Sequence, residues 1–174
     1  MAGRTAIIKG AEEGGALWFN NDLLTFKATS EETEEGFIVF EELSQRGKVT
    51  PLHSHPDVDE TFYVLEGEIL VHVDGTERAV GGGGFASVPR GSPHALLVTS
   101  EIARILTLIT PGIKEMELFF REAGEPAKER AVPPKGPLAM ERIGAAAERY
   151  GSVVILGPPP FDMSQTGAAS ATGA

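Results

Sequence analysis

The segment Gly47-Lys-Val-Thr-Pro-Leu-His53-Ser-His55-Pro-Asp-Val-Asp-Glu60 decides how the rest of the chain is read. His53 and His55 are two apart, and alternate residues of a strand project from one face with Cα atoms roughly 6.6 Å apart. Two imidazoles so placed can converge on one ion at bond lengths of about 2.0–2.1 Å. Pro56 and two aspartates, Asp57 and Asp59, suit a turn. Glu60 then opens a second strand, Thr61-Phe-Tyr-Val-Leu65, expected to pair back alongside the first. A fourth donor, His94, closes Val88-Pro-Arg-Gly-Ser-Pro-His94. Together, His53, His55, Glu60 and His94 form a candidate metal site of nitrogen and oxygen ligands.

The spacing around these residues resembles the two motifs of the cupin family. Gly47, five residues, His53-x-His55, four residues, Glu60, six residues and Gly67 follow the first motif. Gly83, five residues, Pro89-x-Gly91, two residues and His94 follow the second, which usually ends in asparagine where Val98 stands here. That asparagine is not a ligand. The resemblance implies an all-β jelly-roll barrel holding one divalent transition metal.

The composition agrees with that site and closes other routes. The chain has 174 residues, 15 basic against 25 acidic, a formal net charge of −10 and no cysteine. The acidic balance argues against nucleic acid and anionic membrane surfaces as partners. With no sulfur ligand or disulfide possible, an ion must be held by histidine and carboxylate. No sustained apolar stretch opens the chain and none reaches spanning length, so a cytoplasmic location is expected.

Along the chain, residues 1–16 read as an N-terminal arm and 17–112 as the barrel. Leu17-Trp-Phe19 and Leu23-Leu-Thr-Phe26 flank a turn at Asn20-Asn-Asp22. Residues 29–36 read as a solvated acidic connection, and Phe37 opens the next strand. Asp74-Gly75 is a strong hairpin signal. Gly81–Gly84 is no phosphate loop, because no Lys-Ser/Thr pair and no helix follow it. Trp18 and His72 read as structural. After residue 110 the pattern shifts to helical spacing over 113–123, ended by Gly124, with a second helix to about Tyr150. Residues 113–160 are therefore expected as a helical extension packed on the barrel. Its Met116, Leu118, Phe119 and Phe120 are candidates to cap the barrel mouth. Residues 161–174 read as a disordered tail.

Beyond the motifs, Asp59–Gly67, Pro89–His94, Ile109–Gly112 and Ile155–Pro159 resemble single-cupin bacterial proteins similar to quercetin (flavonol) dioxygenases. The resemblance implies an aromatic substrate bound to the metal through an oxygen, with O2 as co-substrate. Glu60 would take the substrate's hydroxyl proton as general base, and ring opening would release carbon monoxide. A cation beside a carboxylate lowers its pKa, so Glu60 would have to loosen from the metal as substrate arrives. Phe37, Phe40, Phe62 and Val64 are expected to supply apolar interior walls. The same ligands also serve a redox-neutral isomerase, cyclase or lyase, or a barrel that only binds a small molecule. A homodimer is expected, since a single barrel exposes sheet edges.

Overall fold

A computed structural model describes residues 5–134 and 136–162. The chain forms β1 (Ala16–Phe19), β2 (Asp22–Ala28), β3 (Ile38–Gln45), β4 (Leu52–Ser54), β5 (Asp59–Glu66), β6 (Glu68–Val73) and β7 (Thr76–Gly81). It continues with β8 (Phe85–Val88), β9 (His94–Val98), β10 (Ile102–Thr110), α1 (Lys114–Ala123), β11 (Glu125–Pro126), α2 (Met140–Tyr150) and β12 (Val154–Gly157). All strand pairs are antiparallel and fall into two sheets. One has the order β11-β1-β2-β3-β10-β5-β8, the other β12-β4-β9-β6-β7. The expected tail from 161 lies outside the described residues except for Phe161 and Asp162.

Strand periodicity sets the faces. β3 and β10 are buried at every second residue, so Ile38, Phe40, Ala103, Ile105 and Ile109 point into the barrel. β2 breaks the alternation because both of its faces are covered: Leu24 and Phe26 lie in the core, and Leu23 and Thr25 are buried opposite. Residues of the N-terminal arm pass nearby, held by the Lys27 ammonium, which donates to the carbonyls of Gly10 and Ala11. The β1–β2 hairpin turns at Asn20 and Asn21, both with positive φ (52° and 64°), and the β6–β7 hairpin at Asp74 and Gly75 (48° and 82°). These dihedrals match the twist of the flanking strands, and Asn, Asp and Gly adopt them at least cost.

Gly67 joins β5 to β6 at φ 80°, where an added Cβ would stand 2.2 Å from the Ile102 carbonyl oxygen. Both the backbone conformation and the close approach require glycine there. Gly124 does end α1 as the sequence suggests, though in extended rather than left-handed conformation. Its place is explained by crowding: a Cβ would meet the Phe120 carbonyl oxygen at 2.8 Å.

Two large apolar clusters fill the interior, beside a small third one of Ala95, Leu97 and Phe161. One lies between the sheets and holds Phe62, Val64, Ile69, Val71, Leu96 and Ile105. The other joins Leu24, Phe26 and Phe40 to Met116, Phe119 and Phe120 of α1 and Ile143 and Ala146 of α2. Burying each such side chain contributes about 1.5–3 kcal/mol, enough to seat a short helix that would not form alone. The Phe120 ring meets those of Phe40 and Phe19 at centroid distances of 5.0 and 5.3 Å.

Two local readings change. The acidic connection keeps its glutamates exposed, but Ser30 and Thr33 are buried. The Ser30 amide and hydroxyl both donate to Glu117 of α1, at 2.8 and 2.6 Å. Trp18, as expected, is structural: its indole N–H donates to the Ala131 carbonyl. The strand after Glu60 does not pair with the His53 strand. β4 lies in the five-stranded sheet beside β9 and β12, while β5 lies in the seven-stranded sheet between β10 and β8. The turn at 56–58 crosses from one sheet to the other.

Candidate metal centre

That crossing brings the donors together from opposite walls. His53 and His94 are directly opposed partners on β4 and β9, and their rings lie 4.2 Å apart. His55 sits just past the end of β4, two residues on, so its side chain shares the face of His53. Glu60 reaches in from β5 of the other sheet. One candidate ligand atom from each of these four residues lies within 4.8 Å of all the others. Atoms bound at about 2.1 Å to one ion stand roughly 3.0–4.2 Å apart, depending on angle, so this cluster could hold a single metal. His55, Glu60 and His94 are buried, and His53 is half-buried.

Hydrogen bonding fixes which ring nitrogen faces the centre. Nδ1 of His53 meets the Pro51 carbonyl at 2.9 Å, Nδ1 of His94 the Ser92 carbonyl at 2.9 Å, and Nδ1 of His55 the Ser152 carbonyl at 3.1 Å. A carbonyl only accepts, so each Nδ1 carries the hydrogen and each neutral ring offers its Nε2 lone pair inward. Glu60 Oε2 lies 2.9 Å from His94 Nε2 and 3.3 Å from His55 Nε2. Lone pairs facing a carboxylate at such distances require positive charge among them, from protons or from a metal.

The titration directions agree. Burial lowers His53, His94 and His55 add to it, and the ring is pushed down to about 3. Burial also works against His94 charging, but the hydrogen bond to Glu60 outweighs it and raises His94. Burial alone would raise Glu60; the charge and hydrogen bonds of His55 and His94 hold it well below the usual carboxylate range. A donor set of three neutral imidazoles and one ionised carboxylate suits a divalent transition metal, and the donors do not select which.

Residues around the donors set their frame. The Asp59 carboxylate accepts from the Arg90 backbone N–H (2.9 Å) and side-chain Nε–H (3.1 Å), and the Gly91 amide donates to the His55 carbonyl at 2.8 Å. The Pro89–His94 loop is thereby tied to both the His55 and the Glu60 segments. Asp59 and Arg90 lay in the quoted motifs, but sequence gave Asp59 only a turn role and Arg90 none. His72 is elsewhere, with Nδ1 3.4 Å from Glu77 Oε1 and its ring against Phe161.

A pocket opens on His53, His55 and Glu60. Its apolar walls come from Phe19 of β1, Met116, Phe119 and Phe120 of α1, Ile143 of α2, and Val153 and Ile155 around β12. The helical segment thus caps this end of the barrel. Phe37, Phe62 and Val64 do not line the pocket. Phe37 is partly exposed, and Phe62 and Val64 continue inward from Glu60 into the cluster between the sheets. Phe40 is buried behind Phe120. Sequence reasoning missed Phe19, Ile143 and the Ser152 carbonyl, for which only the amphipathic pattern of α2 offered a signal. The void measures about 60 Å³. Sites for drug-sized ligands run to roughly 300–1,000 Å³, so a larger ligand requires the walls to part.

A two-sheet antiparallel barrel with histidines and a glutamate converging inside it defines a cupin. Residues 39–109 match the model of the cupin domain, and the fold and both motifs are similar to that superfamily. Over 121 residues the chain is 31% identical to the quercetin 2,3-dioxygenase of Bacillus subtilis (strain 168), covering 70% of this chain and 35% of that protein. It is 32% identical over 59 residues to an uncharacterized protein of Aquifex aeolicus (strain VF5), covering 34% of this chain and 49% of that one. The chain therefore spans about a third to a half of the length of these relatives. Among solved structures, KdgF from Halomonas sp. superposes with a TM-score of 0.57 at 18% identity, covering 64% of this chain and 98% of that one. A predicted oxalate decarboxylase from Thermotoga maritima gives 0.55 at 18% identity, covering 60% and 98%. At such identities these structures speak to the fold alone.

Proposed function

We propose that this protein is a metal-dependent dioxygenase acting on a flavonol or other aromatic, enolisable substrate with O2. The observation that carries the reading is the wall of the pocket. Beside the four donors stand Phe19, Phe119, Phe120 and Met116, and among the described residues no lysine or arginine lines the pocket. Beyond the metal itself an oxalate-like dianion would find no counter-charge on these walls, whereas a flat apolar ring system gains by leaving water. The likeness to the B. subtilis quercetin 2,3-dioxygenase points the same way.

In this reading His53, His55, Glu60 and His94 hold the metal, which supplies a Lewis acid and a redox centre when bound. The aromatic walls orient the substrate ring and exclude water. Glu60 Oε2 accepts the hydroxyl proton of the substrate once its contacts with His94 and His55 relax, because in the observed arrangement the carboxylate is too well stabilised to be a strong base. Entry of a flavonol requires the pocket walls to part. No described helix is long and apolar enough to cross a membrane, and a cytoplasmic site of action belongs to the same proposal. So does a homodimer: Phe85 on the edge strand β8 and its register partner Tyr63 are exposed apolar side chains that a second copy would cover. A monomer mass by light scattering at micromolar concentration would overturn that part.

The test of activity reconstitutes apo-protein separately with Fe, Mn, Co, Ni and Cu and offers a panel of flavonols. The expected result is oxygen uptake at an electrode that parallels loss of the flavonol absorbance and disappears in Glu60→Gln. Substrate loss without oxygen uptake would establish redox-neutral chemistry instead, and binding without turnover would leave a small-molecule-binding barrel.

A further inference from the structure

Asn20 stands on the pocket wall, between Phe19 and the buried Asp22. Its φ of 52° suits the β1–β2 hairpin, a requirement that glycine or aspartate would also meet. The turn therefore does not explain the amide. The side-chain Nδ2 donates to the Val49 carbonyl at 3.1 Å. Because a carbonyl accepts only, this bond fixes the amide orientation and assigns Oδ1 to the opposite side. Oδ1 is buried and has no hydrogen-bond partner. A buried acceptor without a donor is unfavourable and calls for an explanation, which a ligand at the pocket wall supplies.

We infer that Asn20 Oδ1 is a specificity determinant, accepting a hydrogen bond from a hydroxyl carried on the substrate's aromatic body away from its metal-binding oxygen. The inference rests on the proposed aromatic-substrate reading and narrows it to polyhydroxylated ring systems. The surrounding walls are apolar, so a hydroxyl entering this pocket finds few other acceptors, and its loss of water must be matched by a pre-set group. A pocket built to bond a hydroxyl discriminates strongly against the analogue lacking it.

The test compares quercetin, with hydroxyls on both ring systems, and 3-hydroxyflavone, with only the one that would bind the metal. Binding of each to the metal-loaded protein is measured by calorimetry without oxygen, so that no turnover intervenes. In Asn20→Gly, which keeps the positive φ, quercetin is expected to weaken about tenfold while 3-hydroxyflavone stays within about twofold. Asn20→Asp keeps an acceptor oxygen in a turn-compatible residue but loses the Nδ2 bond that orients it, and is expected to retain part of the preference for quercetin. Equal weakening of both ligands in Asn20→Gly, or no weakening of either, overturns the inference while leaving the aromatic reading intact. A preference lost in Asn20→Asp as fully as in Asn20→Gly does the same. If the wild type binds neither compound, the aromatic reading itself fails and the inference falls with it.

Discussion

His53, His94 and His55 look equivalent in sequence but are held in place differently. The first two are oriented by carbonyls two residues away, those of Pro51 and Ser92. Their ring positions are set by the barrel strands and short loops within the cupin domain. His55 is oriented by the Ser152 carbonyl, 97 positions away, where the chain leaves α2 for β12. β12 then pairs with β4, placing Ile155 opposite His53. The helical extension therefore contributes to the metal centre as well as to the pocket wall. The comparison teaches that a ligand named by a local motif can depend on chain far outside that motif. It also means that any shift of α2 that admits substrate acts on the carbonyl that positions His55.

The sharpest break of this comparison removes the donors. In a His53→Ala/His55→Ala double variant, metal content by elemental analysis is expected to fall to background. Equal content in variant and wild type would show that the ion, if any, is held elsewhere.

A second experiment separates the two modes of orientation. Gly151 has φ 67° at the end of α2, and a β-branched residue is strained there. Gly151→Val is expected to displace Ser152 and weaken metal affinity by about tenfold, the lower range for losing an orienting partner. Val64→Ala, in the cluster between the sheets, is expected to cost about 1–3 kcal/mol of stability with metal affinity unchanged. Competition with a chelator measures the affinities and thermal melting the stabilities. Equal effects on affinity would dissolve the distinction.

A further effect concerns a buried charge cluster outside the pocket lining. Lys48 Nζ lies 2.5 Å from Asp22 Oδ2 and 3.2 Å from Glu42 Oε2, and Glu42 also accepts from Thr107. Burial alone would lower Lys48, but Asp22 and Glu42 raise it, so the ammonium stays charged. Two carboxylates share this one cation, and burial pushes Asp22 up to about 7 against the pull of Lys48. Between pH 4 and 7 the folded chain then holds a proton that the unfolded chain has released. The stability linked to Asp22 is fully present below about pH 4 and is lost as pH rises through 7, by at most about 1.4 kcal/mol per pH unit. Asp22→Asn is expected to flatten that slope in denaturant titrations at several pH values, and an unchanged slope would refute it.

Much of this protein was legible in sequence. The strands up to β10, both hairpin turns and the two helices followed from periodicity and turn chemistry, because those signals act over a few residues. β11 and β12, which add strands from the expected helical extension to the two sheets, did not. The four candidate donors followed from the spacing of two motifs, since alternation on a strand places His53 and His55 on one face without help from the rest of the fold. The pairing of strands did not follow. The turn at 56–58 is compatible with a hairpin or with a crossing between sheets, and only the packing of both sheets around a common core selects the crossing. That choice sends Phe62 and Val64 away from the pocket and brings Glu60 to His94. Nor could composition reveal that Phe19 and Asn20 line the pocket or that the Ser152 carbonyl meets His55. Each is locally an ordinary turn or helix-end residue. What assembles them is burial of the apolar faces of α1 and α2 against β1 to β3, a contact between chain segments at least 69 residues apart.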